Sequence, residues 1–201
     1  MRNRFVIALL LGLTLVPIPS ASAQFYKQAS TGARLERKEN NQERILQKRA
    51  ENRGKLEARR EQLQEKLAQL SDERKSRLAE NINNALSRLN ERWTDHFGDV
   101  LDKLTEILDK IEARVQTLKA NGTDTALADS AITTARTAIT TAVSAVTEQA
   151  GKDYTIEINE EATLREDITT TKNQLKADLR AVHELIKTAR EAVRAVIQTL
   201  H

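Results

Sequence analysis

The chain has no cysteine, and its only prolines, Pro17 and Pro19, both fall in the first twenty residues. Without cysteine there is no disulfide framework, no thiolate nucleophile and no thiolate metal ligand, so an exported form must be held together by packing. Aromatic residues make up 3% of the chain and glycines number six. A sandwich or barrel needs frequent turn residues and a supply of aromatic and β-branched strand formers, so this scarcity argues against both. After residue 16 no apolar run approaches the roughly 20 residues that cross a bilayer, and no transmembrane span is expected in the mature chain. The three histidines, His96, His183 and His201, share no metal-ligand spacing. There is no glycine-rich phosphate loop and no nucleophile elbow. The acidic cluster Asp153, Glu157, Glu160 and Glu161 lacks the alternating-oxygen pattern of a calcium loop. These absences predict a protein that is not an enzyme and that carries no cofactor or metal.

What is present begins with a leader. Arg2 and Arg4 precede twelve apolar residues, Phe5 to Val16, and Ala21-Ser22-Ala23 has the small-x-small form of a cleavage site. Residues 1–23 therefore read as a signal peptide, and the product as periplasmic, cell-surface or secreted. The whole chain holds 32 basic and 29 acidic residues, and removing Arg2 and Arg4 leaves 30 against 29. The remaining charge is divided along the chain. Residues 33–77 carry 14 Lys and Arg against 9 Asp and Glu; residues 78–201 carry 15 against 20. A split of this kind points to an interaction arm.

Leu78, Ile82, Leu86, Leu89, Trp93, Phe97, Val100, Leu104, Ile107, Ile111, Val115 and Leu118 recur every three or four residues, as one face of a long helix does. Asn121-Gly122 stops that helix, and so short a gap turns the next one back antiparallel. The second helix is expected over about 125–149, with the seam Ala128, Ile132, Ala135, Ile139, Ala142 and Val146 and an opposite face of threonines. Ala150-Gly151 ends it, and the alternating Tyr154-Thr155-Ile156-Glu157-Ile158 suits an extended link. The third helix, about 162–201, carries the heptad seam Leu175, Leu179, Val182, Ile186, Ala189, Val193, Val196 and Leu200. The expectation is an all-α protein: an elongated antiparallel three-helix bundle or coiled coil over 75–201, whose first helix covers about 75–119. Residues 24–74 precede it as a flexible lead-in and a charged helical arm protruding from the bundle. Ser71-Asp72-Glu73-Arg74 could cap a fresh start to the spine helix or be passed through in one continuous rod.

The arm sorts its charges. On a helical wheel, Arg44, Lys48, Arg49, Lys55, Arg59, Arg60 and Lys66 fall in one half-turn, and Glu43, Glu51, Glu57, Glu61 and Glu65 in the other. Ile45, Leu56, Leu63, Leu67 and Leu70 form a narrow apolar stripe within the basic half. The resulting like-charge pairs at i,i+4, such as Arg44/Lys48 and Glu57/Glu61, slightly destabilise an isolated helix. An apolar seam flanked by cations fits an acidic envelope surface or an acidic protein partner, and the basic residues just named, with Leu56 and Leu63, are the candidate binding set. Nucleic acid is not expected, since no aromatic residue interleaves the charges. Self-pairing of two arms would oppose like charges; a homo-oligomer formed through bundle faces stays open.

The order of leader, charged helix, hairpin at Asn121-Gly122, Gly151-Lys152-Asp153-Tyr154 link and Leu175–Leu200 heptads resembles uncharacterised exported helical proteins of uncultured bacteria, a resemblance that implies no activity. An exported, cysteine-free helical chain with a basic portion is also loosely similar to periplasmic holdase chaperones of the Skp type. That similarity implies the alternative function of holding unfolded clients.

Overall fold

The computed structural model describes residues 21–200. The expected leader core, with its Pro17 and Pro19 break, and His201 lie outside the described residues. Among the described residues there are four α-helices and no strand: α1 (Ala21–Ala68), α2 (Glu73–Ala120), α3 (Ala126–Ala150) and α4 (Leu164–Gln198). None is long and apolar enough to cross a membrane.

The break between α1 and α2 decides the layout. Asp72 is extended (φ −100°, ψ 103°), and its carboxylate accepts the amides of Arg74 at 2.9 Å and Lys75 at 3.4 Å. A capping carboxylate at that point satisfies amides that the first turn leaves bare, so a new helix starts here and no continuous rod forms. α1 does not protrude. It folds back antiparallel along α2, so that Gln64 faces Glu80, Ile45 lies under Gly98, and Asn41 meets Asp102. The expected projecting arm overlooked that its own apolar stripe has a place to go: Ile45, Leu63 and Leu67 are all buried against the body.

α2 ends as expected. Gly122 takes φ +83°, the left-handed conformation that costs glycine nothing. Thr123 N–H then donates to Leu118 O and Gly122 N–H to Lys119 O, which satisfies the last carbonyls. α3 packs on both α2 and α4, α2 also packs on α4, and α1 lies on α2 and α3.

All six expected seam residues of α3 are buried, together with Val143. Its threonine face is exposed where Thr133, Thr134, Thr137, Thr140 and Thr141 return their hydroxyls to carbonyls one turn back in the same helix. In α4 the expected heptad is buried except for the half-exposed Leu179 and Leu200.

α2 departs most from expectation. The row that enters the core is Ala79, Asn83, Leu86, Asn90, Thr94, Phe97, Leu101, Leu104, Leu108 and Val115. Leu78 is 57% exposed, and Leu89, Trp93 and Ile107 are also exposed. α2 thus carries two neighbouring ridges. The buried one is favoured because its polar members find partners: Asn83 Oδ1 accepts the amide of Ile156, and Asn90 and Thr94 meet α3 and α1.

Two apolar clusters result. The larger joins Phe97, Leu101, Leu108, the α3 seam and the upper part of α4, with Ile45 of α1 at its lower edge. The smaller joins Leu63, Leu67, Ala79 and Leu86 to Tyr154, Ile156 and Ile158 of the link and to Leu164 and Leu175. The link closes the lower end of the molecule, and α1 supplies one wall of it.

Candidate functional site

The basic half of α1 brackets its docking stripe, so part of it is drawn into the fold. Arg49 is only 21% exposed and donates to Thr94 Oγ1 at 2.7 Å, Asp95 Oδ1 at 2.9 Å and the Glu91 carbonyl at 3.2 Å. Ten residues further on, Arg59 pairs with Glu157 and lies 3.2 Å from Asp153 Oδ2. That second approach is a charge contact without hydrogen-bond geometry, while Asp153 Oδ1 accepts the amide and hydroxyl of Thr155. Between the two arginines, Asn52 donates to the carbonyl of Gly151 at 3.1 Å. At the turn, Ser71 gives its amide and hydroxyl to Glu161, which Lys75 also reaches at 3.0 Å. The Ser71 amide first, then its hydroxyl and Lys75, hold the Glu161 carboxyl down at about 2.

The remaining members of the expected binding set divide by depth. Leu63 is buried at 3% exposure, and Leu56 is half-buried. Lys48 is half-buried beside Gly151 and pairs with Glu51 at 3.2 Å. Arg44, Lys55, Arg60 and Lys66 are exposed. The structure therefore does not gather the nine residues into one site. It uses two cations to fasten α1 and leaves four on its surface.

Beside Arg49 opens a cleft of about 500 Å³ walled by Leu46, Arg53, Leu56 and Arg60 of α1, with Asn90 and Tyr154 below. Its floor is a connected polar network. Gln149 Nε2 donates to Asn90 Oδ1 at 2.9 Å and to the Tyr154 oxygen at 2.6 Å, and Tyr154 donates to Asp178 Oδ2 at 2.7 Å. Lys152 pairs with the same Asp178 oxygen at 3.1 Å. Burial, and then Asp178 beside it, push the Tyr154 phenol well above its ordinary value. Burial pushes the Asp178 carboxyl up as well, but hydrogen bonds from Tyr154, Lys152 and Gln174 together outweigh it and hold Asp178 below the usual carboxylate range. Each proton in this chain has a fixed home, so it serves as a buried brace between α2, α3, the link and α4. Among the described residues no group of three or more His, Cys, Asp or Glu could hold a metal ion.

A second surface lies between α2 and α4. Leu86, Leu89, Trp93, Phe97, Leu175 and Leu179 line a groove of about 390 Å³, edged by Lys172, Lys176, Arg180 and His183. Trp93 and Phe97 pack at a 45° tilt with ring centroids 5.3 Å apart, and the His183 ring lies 6.3 Å from Phe97. The periodicity of α2 predicts Leu89 and Trp93 as core, whereas both are exposed and line this groove. A signal was present in the i, i+4, i+8 spacing of Lys172, Lys176 and Arg180 beside Leu175 and Leu179. No comparable signal marks the Asn90–Gln149–Tyr154–Asp178 network, whose members come from four separate segments. No protein-family model, no curated protein and no solved structure matches this chain.

Proposed function

We propose that this is an exported, non-enzymatic interaction protein of the cell envelope, in which α2–α4 form an elongated antiparallel three-helix bundle with coiled-coil-like packing. In this reading α1 carries a cationic flank that docks on an acidic surface or partner. The observation that supports it is the division of the basic face. Arg49 and Arg59 are drawn inward by carboxylates, while Arg44, Lys55, Arg60 and Lys66 stay exposed on the same helix. Cations near an anionic membrane contribute roughly 1 kcal/mol each. Four of them, on a helix packed against the body, are enough for measurable, salt-sensitive adsorption.

The test uses phosphatidylglycerol vesicles and the mature chain. Reversing Arg44, Lys55, Arg60 and Lys66 to Glu should abolish sedimentation with the vesicles. Exchanging Lys55 with Glu57 and Arg60 with Glu61 keeps the net charge and scrambles the flank, and should weaken binding clearly. If the exchanged chain binds as wild type does, the flank has no role and the reading fails.

The α2–α4 groove favours a second reading, a holdase for unfolded clients of the kind the similarity to Skp-type chaperones suggested. That reading requires the folded protein to bind an apolar dye and to suppress aggregation of clients of any charge.

A further inference from the structure

The groove between α2 and α4 differs from an ordinary apolar patch in the sign of everything around it. One rim is the row Lys172, Lys176 and Arg180, and among the described residues no carboxylate lines the groove. On the α2 side Arg88 and Arg92 are exposed, each one residue before an apolar wall residue, Leu89 or Trp93. The carboxylates on these same stretches are engaged elsewhere. Glu91 and Asp95 turn to Arg49 of α1, and Asp178 is held by Tyr154 and Lys152. An apolar floor about 16 Å long, from Leu86 to Phe97, therefore lies along a cationic border supplied by α4, with Arg88 and Arg92 adding positive charge to the exposed side of α2.

The molecule itself shows how such a groove is filled. α1 lies against α2 and α3 with an apolar stripe, Ile45, Leu63 and Leu67, and pairs its cationic flank with acidic groups of the body. The α2–α4 groove offers the same geometry with the charges reversed. We propose that it docks an acidic amphipathic helix of another polypeptide. Leucine-type residues at i, i+3, i+4 and i+7 would seat on Leu89, Trp93 and Leu179, and carboxylates would lie along the row Lys172, Lys176 and Arg180.

The spread of charge selects this occupant. Lys172 to Arg180 spans about 12 Å of helix, which suits several carboxylates in a line, whereas a lipid with one head group engages one end of it. A second copy of this chain would set basic rims against basic rims. The inference does not depend on the exposed flank of α1, which lies on another helix.

Trp93 is the only tryptophan in the chain, so its emission reports on the groove directly. The probe is a helix-forming peptide of about three heptads with a leucine seam flanked by glutamates. Titrated into the mature chain at low salt, it should shift Trp93 emission to the blue and saturate. The same peptide with lysines for glutamates, and one with its leucines scrambled, should not. Changing Lys172, Lys176 and Arg180 together to Glu should weaken the acidic peptide about tenfold and admit the lysine peptide. Since all three residues are exposed, the variant should keep its helical circular dichroism and melting transition. Lys176→Glu alone should move affinity the same way by less. Reversal of Arg44, Lys55, Arg60 and Lys66 should leave the Trp93 response unchanged.

Three results would each overturn the proposal. Equal response to acidic and lysine peptides would make the groove merely sticky, as the holdase reading requires. Response to monomeric lysophosphatidylglycerol but to no peptide would assign it to lipid. Loss of the response on reversing the α1 flank would place the binding elsewhere.

Discussion

Arg49 reaches from α1 to three acceptors on α2 with its guanidinium largely shielded. Lys48–Glu51 and Arg53–Glu57 pair in water along one helix, where such contacts are worth a few tenths of a kcal/mol. The difference between a fastening and a solvated pair is thus set by burial more than by charge. The same distinction governs substitutions on α3. Ile139 is buried among the alanines of its seam, and an unpaired carboxylate there has no partner. Ile139→Asp should cost about 4 kcal/mol or more in chemical denaturation. Thr137→Asp, two residues away on the exposed face, should change stability by less than about 0.5 kcal/mol. Glu161 supplies a pH test. Its carboxyl sits at about 2 in the folded chain against an ordinary 4.5, so the folded state favours the ionised form. The stabilisation is complete above pH 4.5 and is lost as the pH falls from there towards 2. Ser71→Ala and Lys75→Ala should flatten this acid limb in a melting series between pH 5 and 2, and should leave the neutral range little changed in shape.

At the level of the helices, α2 shows what periodicity can and cannot give. The existence, order and approximate ends of α2, α3 and α4 were legible, because the stripes are long and Gly122 and Gly151 mark the stops. The face of α2 that enters the core was legible in part. The expected stripe and the buried row share Leu86, Phe97, Leu104 and Val115, and they part at Leu78, Leu89, Trp93 and Ile107, which stay exposed. The choice between them is made by Asn83, Asn90 and Thr94, polar residues that periodicity scores against burial and that distant partners satisfy. The break at Ser71-Asp72 could be seen as an option but not decided, since the clasp that stabilises it comes from Glu161, far along the chain. Gly151 tests how closely α1 is seated. A Cβ there would lie 2.5 Å from Asn52 Nδ2 and 2.8 Å from Lys48 Cγ. Gly151→Ala should displace Asn52 from the Gly151 carbonyl and lower stability by about 1 kcal/mol. Paired with Asn52→Ala, the two losses should be strongly non-additive in a double-mutant cycle, because both act on one contact.

Across the whole molecule, the division of charge between residues 33–77 and the rest finds part of its meaning inside the fold. The basic segment lies against the body and meets Asp95, Asp153, Glu157 and Glu161 there. A seam flanked by cations implies an acidic counterpart, and in the sequence alone that counterpart reads as an outside surface or partner. Composition cannot tell an outside partner from the chain's own later half, and only the direction of the turn at Asp72 settles it for Arg49 and Arg59. The exposed remainder of the face, and the groove on the other side of α2, are what is left for contacts beyond the chain.

The clasp between Ser71 and Glu161 joins residues 90 apart in sequence, and this bears on the order in which the molecule assembles. The α1–α2 and α2–α3 hairpins close over short connections, residues 69–72 and 121–125, and can form early, whereas α3–α4 must close over the longer link 151–163. The clasp must wait until that link has settled, so the locking of the α1–α2 turn onto Glu161 is a late event and its release an early one. α1 buries Ile45 and then no residue before Leu63, whereas α3 buries a residue at every turn. In native-state hydrogen exchange the amides around Arg44–Arg53 should therefore open well before those of Ile132–Val146, as one cooperative unit. Uniform protection of the two helices would mean that α1 and the body unfold as a single piece.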